Sequence, residues 1–287
     1  MWTLAQLRLH PVKSAGALVV EEAELGPRGL EHDRRWVVVG PDGVAVTQRD
    51  APVMATVRPR LEGGRLVLSA PGVADVEVIA DAAATRVQAS VWGGAALGLP
   101  AVREANDWWS ALLDRPLTMV HMDDAARREV RPPVAAGGTG SGEAAARDVY
   151  EVSFADELPL LVLSQASLDA LNDRLDGPIG PERFRPNLVF EGMEPFEEDR
   201  WSRIGAEGWE LALVKPAARC KVVTIDQESG AVHPRGEPLR TLAAFRRGHP
   251  RAAQGEERGA FLGMRAAPLV EAARLRVGDT VRGLVPA

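Results

Sequence analysis

Cysteine occurs once in the 287 residues, at Cys220, so no internal disulfide can form. The five histidines are scattered, and no His/Cys spacing matches a zinc site. Lysine is almost as scarce: Lys13, Lys215 and Lys221 stand against a background of arginine, and two of the three bracket Cys220. Basic charge is not in excess. The formal net charge of −6 argues against nucleic acid or an anionic membrane as the main partner. No apolar run is long enough to span a bilayer, and the N-terminus lacks the charged and apolar regions of a signal peptide. A cytoplasmic address with no membrane partner is therefore expected. Low-complexity tracts and internal repeats are also missing. What remains, at 46% hydrophobic residues, is an ordinary globular chain with room for one large domain or two smaller ones.

Short apolar runs separated by Gly, Pro and Asp dominate the first third, with strands expected near residues 2–9, 19–25, 36–39, 44–47, 56–61, 66–69, 76–79 and 85–91. Such spacing predicts a barrel or sandwich. A helix is expected over 104–113, a strand over 117–122 and an exposed loop over 127–146, inside which the glycine run 137–142 lacks the context of a phosphate-binding loop. Ser164 is placed to cap a helix over 167–175. A strand over 188–190, a short helix over 239–246 and a closing strand over 275–281 complete the pattern.

Cys220 falls between an expected strand at 209–214, ended by a turn at Pro216, and a second strand at 222–225 closed by Asp226 to Gly230. Flanking Arg219 and Lys221 would favour a thiolate that binds soft metals or attacks electrophiles. A small buried hydrophobe is the competing reading. Arg185 and Asn187 straddle Pro186, which biases its predecessor toward extended geometry, so both side chains would share one face and suit a phosphate or a heterocycle edge. Surface ion pairing is the alternative there. Lys13-Ser14 would hold an anion or form a solvated turn.

The motifs Pro11-Val12-Lys13-Ser14, Gly29-Leu30 with Asp33-Arg34 and Trp36, Leu163 to Leu168, Phe184-Arg185-Pro186-Asn187, and Arg219-Cys220 with Thr224, Asp226 and Gly230 resemble, in order and spacing, those of the molybdenum-cofactor sulfurase C-terminal (MOSC) family. The resemblance implies a mainly β fold with a few helices: an N-terminal β-barrel domain over 1–95 and a MOSC β-barrel domain over 96–287. It implies a molybdenum cofactor (molybdopterin) and no pyridoxal phosphate, while the single cysteine departs from relatives with a fused iron–sulfur domain, so no iron–sulfur cluster is expected in this chain. Cys220 would be the metal ligand and catalytic thiolate. Lys13, Ser14, Arg34, Ala155, Asp156, Arg185, Asn187, Ala218 and Arg219 would bind the cofactor, and Asp156 and Asp226 would orient groups or deliver protons. Expected partners are a small N-hydroxylated substrate and a separate electron donor of ferredoxin or flavoprotein type. The alternative is a cofactor or sulfur carrier that uses Cys220 as a persulfide.

Overall fold

The computed structural model describes residues 1–92, 94–131, 149–252 and 258–287. The fold is mainly β, with three α-helices among the described residues: α1 (Arg103–Leu113), α2 (Gln165–Asn172) and α3 (Leu239–Phe245).

Seven strands close into a barrel. Their order around it is Leu188–Glu191, Leu160–Ser164, Ala260–Pro268, Trp209–Arg219, Trp201–Ala206, Thr280–Pro286 and Trp2–Leu9, and the last returns to the first through Thr3↔Glu191 to Leu7↔Leu188. Only the Leu160–Ser164 and Leu188–Glu191 pair runs parallel, and α2 makes the crossover that such a pair requires. Ser164 caps α2 by accepting from the Ser167 N–H at 3.4 Å, and the helix begins and ends earlier than expected. The barrel is filled by side chains such as Leu4, Leu7, Val162, Phe190, Leu211, Leu213 and Met264. Gly263 has φ of +78°, and a Cβ there would come within 2.5 Å of the Val162 carbonyl, so this stave cannot approach its neighbour with any other residue.

A second core lies under α1, where buried Trp109 packs with Val38, Met54, Leu68 and Met119. It is roofed by the four-stranded sheet Trp36–Val39, Thr118–His121, Gly94–Pro100, Val87–Val91 and by the three-stranded sheet Arg58–Glu62, Arg65–Ala70, Val73–Val78. We propose that the two domains divide near residue 95. The first strand of the chain is a stave of the barrel otherwise built from residues 160–286, and Gly94–Pro100 spans the expected boundary.

Three local expectations are corrected. Residues 44–47 form only isolated bridges. The closing strand at 275–281 is two strands, Ala273–Arg276 and Thr280–Pro286, because Gly278 turns the chain at φ of +96° and Asp279 accepts from the Arg276 N–H at 3.0 Å. Of the segment 127–146, residues 127–131 are described: Arg128 is 2% exposed and Glu129–Val130 pairs with Tyr150–Glu151. Residues 132–146, with the glycine run, lie outside the described residues. Among the described residues no helix is long and apolar enough to cross a membrane.

Candidate functional site

Cys220 stands exposed at the end of the strand Trp209–Arg219. That strand was expected to stop before Pro216, yet it runs through it. Proline lacks the N–H that a central strand must donate, and the register shifts on either side of Pro216, at Leu213/Lys215 and Pro216/Ala218, absorb the defect. The strand expected at 222–225 is a 3-10 turn, Lys221–Thr224. It sends Val223 into the core with Leu163, Leu168 and Phe184, and the Thr224 hydroxyl closes it on the Lys221 carbonyl at 2.7 Å. Tertiary burial here outweighs the β propensity of Val222-Val223-Thr224.

One cavity of about 120 Å³ lies beside this strand end. Its wall contains Lys13, Ser14 and Arg34 from the N-terminal region, Ala155 and Asp156 from the loop before the barrel strand Leu160–Ser164, Arg185 and Asn187, and Ala218, Arg219 and Cys220. Every expected site residue is thus brought together except Asp226. That carboxylate accepts from the Ser229 N–H at 2.9 Å and the Ser229 hydroxyl at 2.8 Å, and pairs with Arg183 at 3.0 Å. Ser229 holds it below the usual carboxylate range. Asp226 shapes the turn behind the cavity.

Arg185 was expected in extended geometry and has φ of 57° instead. Its N–H bonds back to the Pro181 and Glu182 carbonyls, both at 3.2 Å, which closes the turn Pro181–Arg183 on a left-handed residue. Ser14, at φ of 67°, and Arg34, at φ of 50°, are also left-handed. Each such residue costs about 1–2 kcal/mol, and three around one cavity is the clustering expected of a binding site.

Charge in the wall is one-sided. Lys13, Arg34, Arg49, Arg185, Arg219 and Arg265 face a single carboxylate, Asp156. Lys13 donates to Asp156 and to the Phe154 carbonyl at 2.9 Å. Burial pushes its ammonium down to about 8 in spite of the Asp156 charge. Burial acts on Asp156 in the opposite sense, but Lys13, Arg265 and Arg49 outweigh it and hold the carboxyl well below its usual range. Asp33 pairs with Arg34, and Glu157 with Arg265 at 3.0 Å. Among the described residues, the guanidinium groups of the remaining three hydrogen-bond only to carbonyls or sulfur: Arg185 to Ala15, Arg219 to Phe184 at 2.6 Å, and Arg49 to Cys220 Sγ at 3.8 Å. Burial, and then the charge of Arg34, push Arg185 down to about 9, while burial and Arg265 push Arg219 down to about 10. An anion entering the cavity would relieve this crowding.

Asn187 is fully buried, and its amide is already engaged. Its Oδ1 accepts from the Leu161 N–H and from Arg34 Nη1, both at 3.1 Å, and its Nδ2 donates to the Arg8 carbonyl at 3.1 Å. It therefore joins three barrel staves and aims Arg34. Sequence reasoning missed Arg49, Arg265 and Arg128. Arg49 and Arg265 line the cavity, and Arg128 donates to the Ser153 carbonyl at 3.0 Å and the Ala155 carbonyl at 2.7 Å. No local signal marked any of them in a chain so rich in arginine. Lys221, expected beside the thiol, is exposed and outside the wall, and the cation that reaches Sγ is Arg49.

The family model for the MOSC N-terminal beta barrel domain matches residues 1–116, and that for the MOSC domain matches residues 149–282. The chain is 33% identical over 251 residues to mitochondrial amidoxime-reducing component 1 of Mus musculus, covering 85% of this chain and 71% of the relative. Against the protein of the same name from Xenopus laevis the identity is 32% over 251 residues, with the same coverage of 85% and 71%. The molybdenum cofactor sulfurase of Oryza sativa subsp. japonica is 29% identical over 259 residues, which are 85% of this chain and 31% of that protein.

Proposed function

This chain belongs to the MOSC family and carries that family's N-terminal β-barrel domain, and from that premise we propose that it is a molybdenum-cofactor-dependent oxidoreductase that reduces N-hydroxylated compounds. The observation that carries the reading is the cavity: in a protein of net charge −6, six cations and one carboxylate surround a space that opens beside the only cysteine. Its donors fit a pterin bearing a phosphate. Guanidinium forks on Arg34, Arg185 and Arg219 suit phosphate oxygens, with Lys13 and Ser14 on the same wall. Among the described residues no group of three His, Cys, Asp or Glu could hold a metal ion. A metal at Cys220 would therefore arrive with most of its ligands, as it does within a cofactor, and take one soft thiolate from the protein.

When bound, the cofactor supplies the two-electron redox chemistry. In the overall reaction the N–O bond breaks and two electrons and two protons enter: one proton goes to the departing hydroxyl, which leaves as water, and the other to nitrogen. The chain's own residues bind and orient. Arg34, held by Asp33 and Asn187, and Arg185, held by the Ala15 carbonyl, are fixed cations that would hold the cofactor's phosphate. Asp156 stays ionised against Lys13 and so orients that amine. Burial brings Lys13 down to about 8, where its ammonium can exchange a proton near neutral pH. Electrons from a separate ferredoxin- or flavoprotein-type donor, and a cytoplasmic address, complete the proposal.

Protein produced in a host able to make molybdopterin should contain about one molybdenum and one pterin per chain, and should reduce a hydroxamic acid to its amide with an artificial reductant. Metal-free protein carrying labile sulfur on Cys220 would overturn the reading and favour the sulfur carrier.

A further inference from the structure

Of the six cations in the cavity wall, five already have a partner or a role. Lys13 pairs with Asp156, and Arg265 with Glu157 at 3.0 Å. Arg34, Arg185 and Arg219 carry the forks that suit a phosphate. Arg49 is the sixth, half-buried at the thiol. A short turn sets its place: Asp50 accepts from the Thr47 N–H at 3.0 Å and the Thr47 hydroxyl at 2.9 Å, and buried Gln48 donates to the Ser14 carbonyl at 2.9 Å. The carboxylate next to Arg49 in the chain is thus engaged in the turn. Among the described residues the Arg49 side chain makes one hydrogen bond, from Nη1 to Cys220 Sγ at 3.8 Å. The Trp92 indole, its centroid 4.6 Å from the guanidinium carbon, covers one face of the group. Stacking of this kind occupies the face and leaves the in-plane N–H donors open. Two contacts therefore hold a planar cation against the sulfur with most of its five donors unused.

We propose that Arg49 is a specificity-determining residue that receives a carboxylate carried by the substrate, so that the site prefers anionic over neutral N-hydroxylated compounds. The inference rests on the reductase reading above. Charge decides which anion Arg49 meets. A phosphate monoester carries about −1.5 to −2 at neutral pH. Arg185 and Arg219 match that charge, and Arg34 adds a donor fork already paired with Asp33. The cation at the sulfur is then left for the second molecule that enters the site, the substrate, which reacts at the metal that Cys220 would hold. A guanidinium fork fits a carboxylate through two parallel N–H bonds, which a neutral group of the same shape cannot reproduce.

The test uses cofactor-loaded wild type, Arg49→Gln and Arg49→Lys under one artificial donor. The substrates are the monohydroxamates of succinate and glutarate, each paired with the neutral compound in which the carboxylate is a carboxamide. Wild type should favour the acid of at least one pair by roughly three- to thirtyfold in kcat/KM, expressed in KM, the worth of one charged contact at a partly exposed site. Arg49→Gln should bring that ratio to within about twofold of unity, and Arg49→Lys, which keeps the charge and loses the fork, should retain part of it. A second readout needs no turnover. Succinamate, the amide product, should bind loaded wild type more tightly than succinamide by a similar factor in calorimetry, and Arg49→Gln should bind the two alike. Molybdenum and pterin content of Arg49→Gln should match wild type. No preference in wild type at either chain length, or a preference that survives in Arg49→Gln, would overturn the assignment. Loss of molybdenum or pterin from Arg49→Gln would give Arg49 to the cofactor and overturn it as well. All three results leave the reductase standing. Loaded wild type that reduces none of the four compounds would overturn the reductase, and the role of Arg49 with it.

Discussion

The charge around Asp199 and the charge around Cys220, both largely buried, differ in balance. Beyond α3, Asp199 takes Arg246 and, at 3.3 Å, His249, while Arg251 donates to the Asp199 carbonyl at 3.3 Å and the Trp201 carbonyl at 2.9 Å. Beside it Glu198, fully buried, accepts from the Ser167 hydroxyl at 2.8 Å and the Ser164 N–H at 3.4 Å. Signs alternate there, partners are close, and the cluster ties α2, α3 and the barrel together. In the wall around Cys220 the cations outnumber the carboxylates and surround open space. Buried charge that is satisfied internally holds a fold. Buried charge of one sign, kept in strained backbone around a cavity, awaits a ligand of the other sign.

The largest effect that would separate the two clusters is at Cys220. Cys220→Ser should reduce N-hydroxyl reduction to background while its urea midpoint matches wild type, because a hydroxyl is a hard, poorly ionised substitute for a thiolate. Retained turnover would remove Cys220 from the chemistry. Next comes a matched pair of arginines. Arg185→Ala should lower pterin retention after gel filtration by roughly 10- to 150-fold in affinity, the worth of one charge-assisted contact of about 1.5–3 kcal/mol. Arg246→Ala should leave pterin content alone and lower stability by about 1–3 kcal/mol, read from the urea midpoint. Exchange of these two outcomes would invert the comparison.

Glu198 tests the balanced cluster by pH. Burial, with Asp199 beside it, pushes its carboxyl up to about 7. A raised carboxyl binds protons more tightly in the folded state, so its contribution is most favourable below the unfolded value near 4.5 and is lost as pH rises toward about 7. Glu198→Gln should therefore be more stable than wild type at pH 8, by on the order of 1 kcal/mol, with the gain vanishing near pH 4. Urea melts at the two pH values decide it. The smallest effect is at Lys13. Loss of its proton removes one positive charge from the wall, so pterin retention should fall about two- to fivefold as pH rises through about 8, and Lys13→Gln should flatten that step. The step is small because the arginines stay charged.

Much of the wall could be read from the chain before it was folded. Lys13-Ser14, Arg34, Arg185-Pro186-Asn187 and Ala218-Arg219-Cys220 carry short patterns of unusual residue types, and all of them reach one cavity. Their roles were less legible. Asn187 aims Arg34 instead of offering a free amide, because its hydrogen-bond partners lie more than 20 residues away in the chain, whereas Asp226 caps its own turn through Ser229. The strand through Pro216 and the 3-10 turn after Cys220 were misread for a similar reason: bulges and the burial of Val223 are set by the adjoining staves.

By itself the sequence determined the mainly β character, the position of the one sulfur, the scarcity of lysine and the motifs that carry the anion-binding groups. These are local properties, legible within a few residues, because strand alternation, turn chemistry and proline geometry act over that range. Only the tertiary structure decided that the first strand closes the C-terminal barrel, that Arg49 and Arg265 line the cavity while Arg128 braces the loop at its wall, and that Arg49 reaches both Cys220 and Trp92. Barrel closure brings Thr3 against Glu191, and the fold gathers the segments that carry Lys13, Arg34, Asp156, Arg185 and Cys220 around one cavity. In a chain where nearly every cation is arginine, only that closure selects which of them face each other across the cavity.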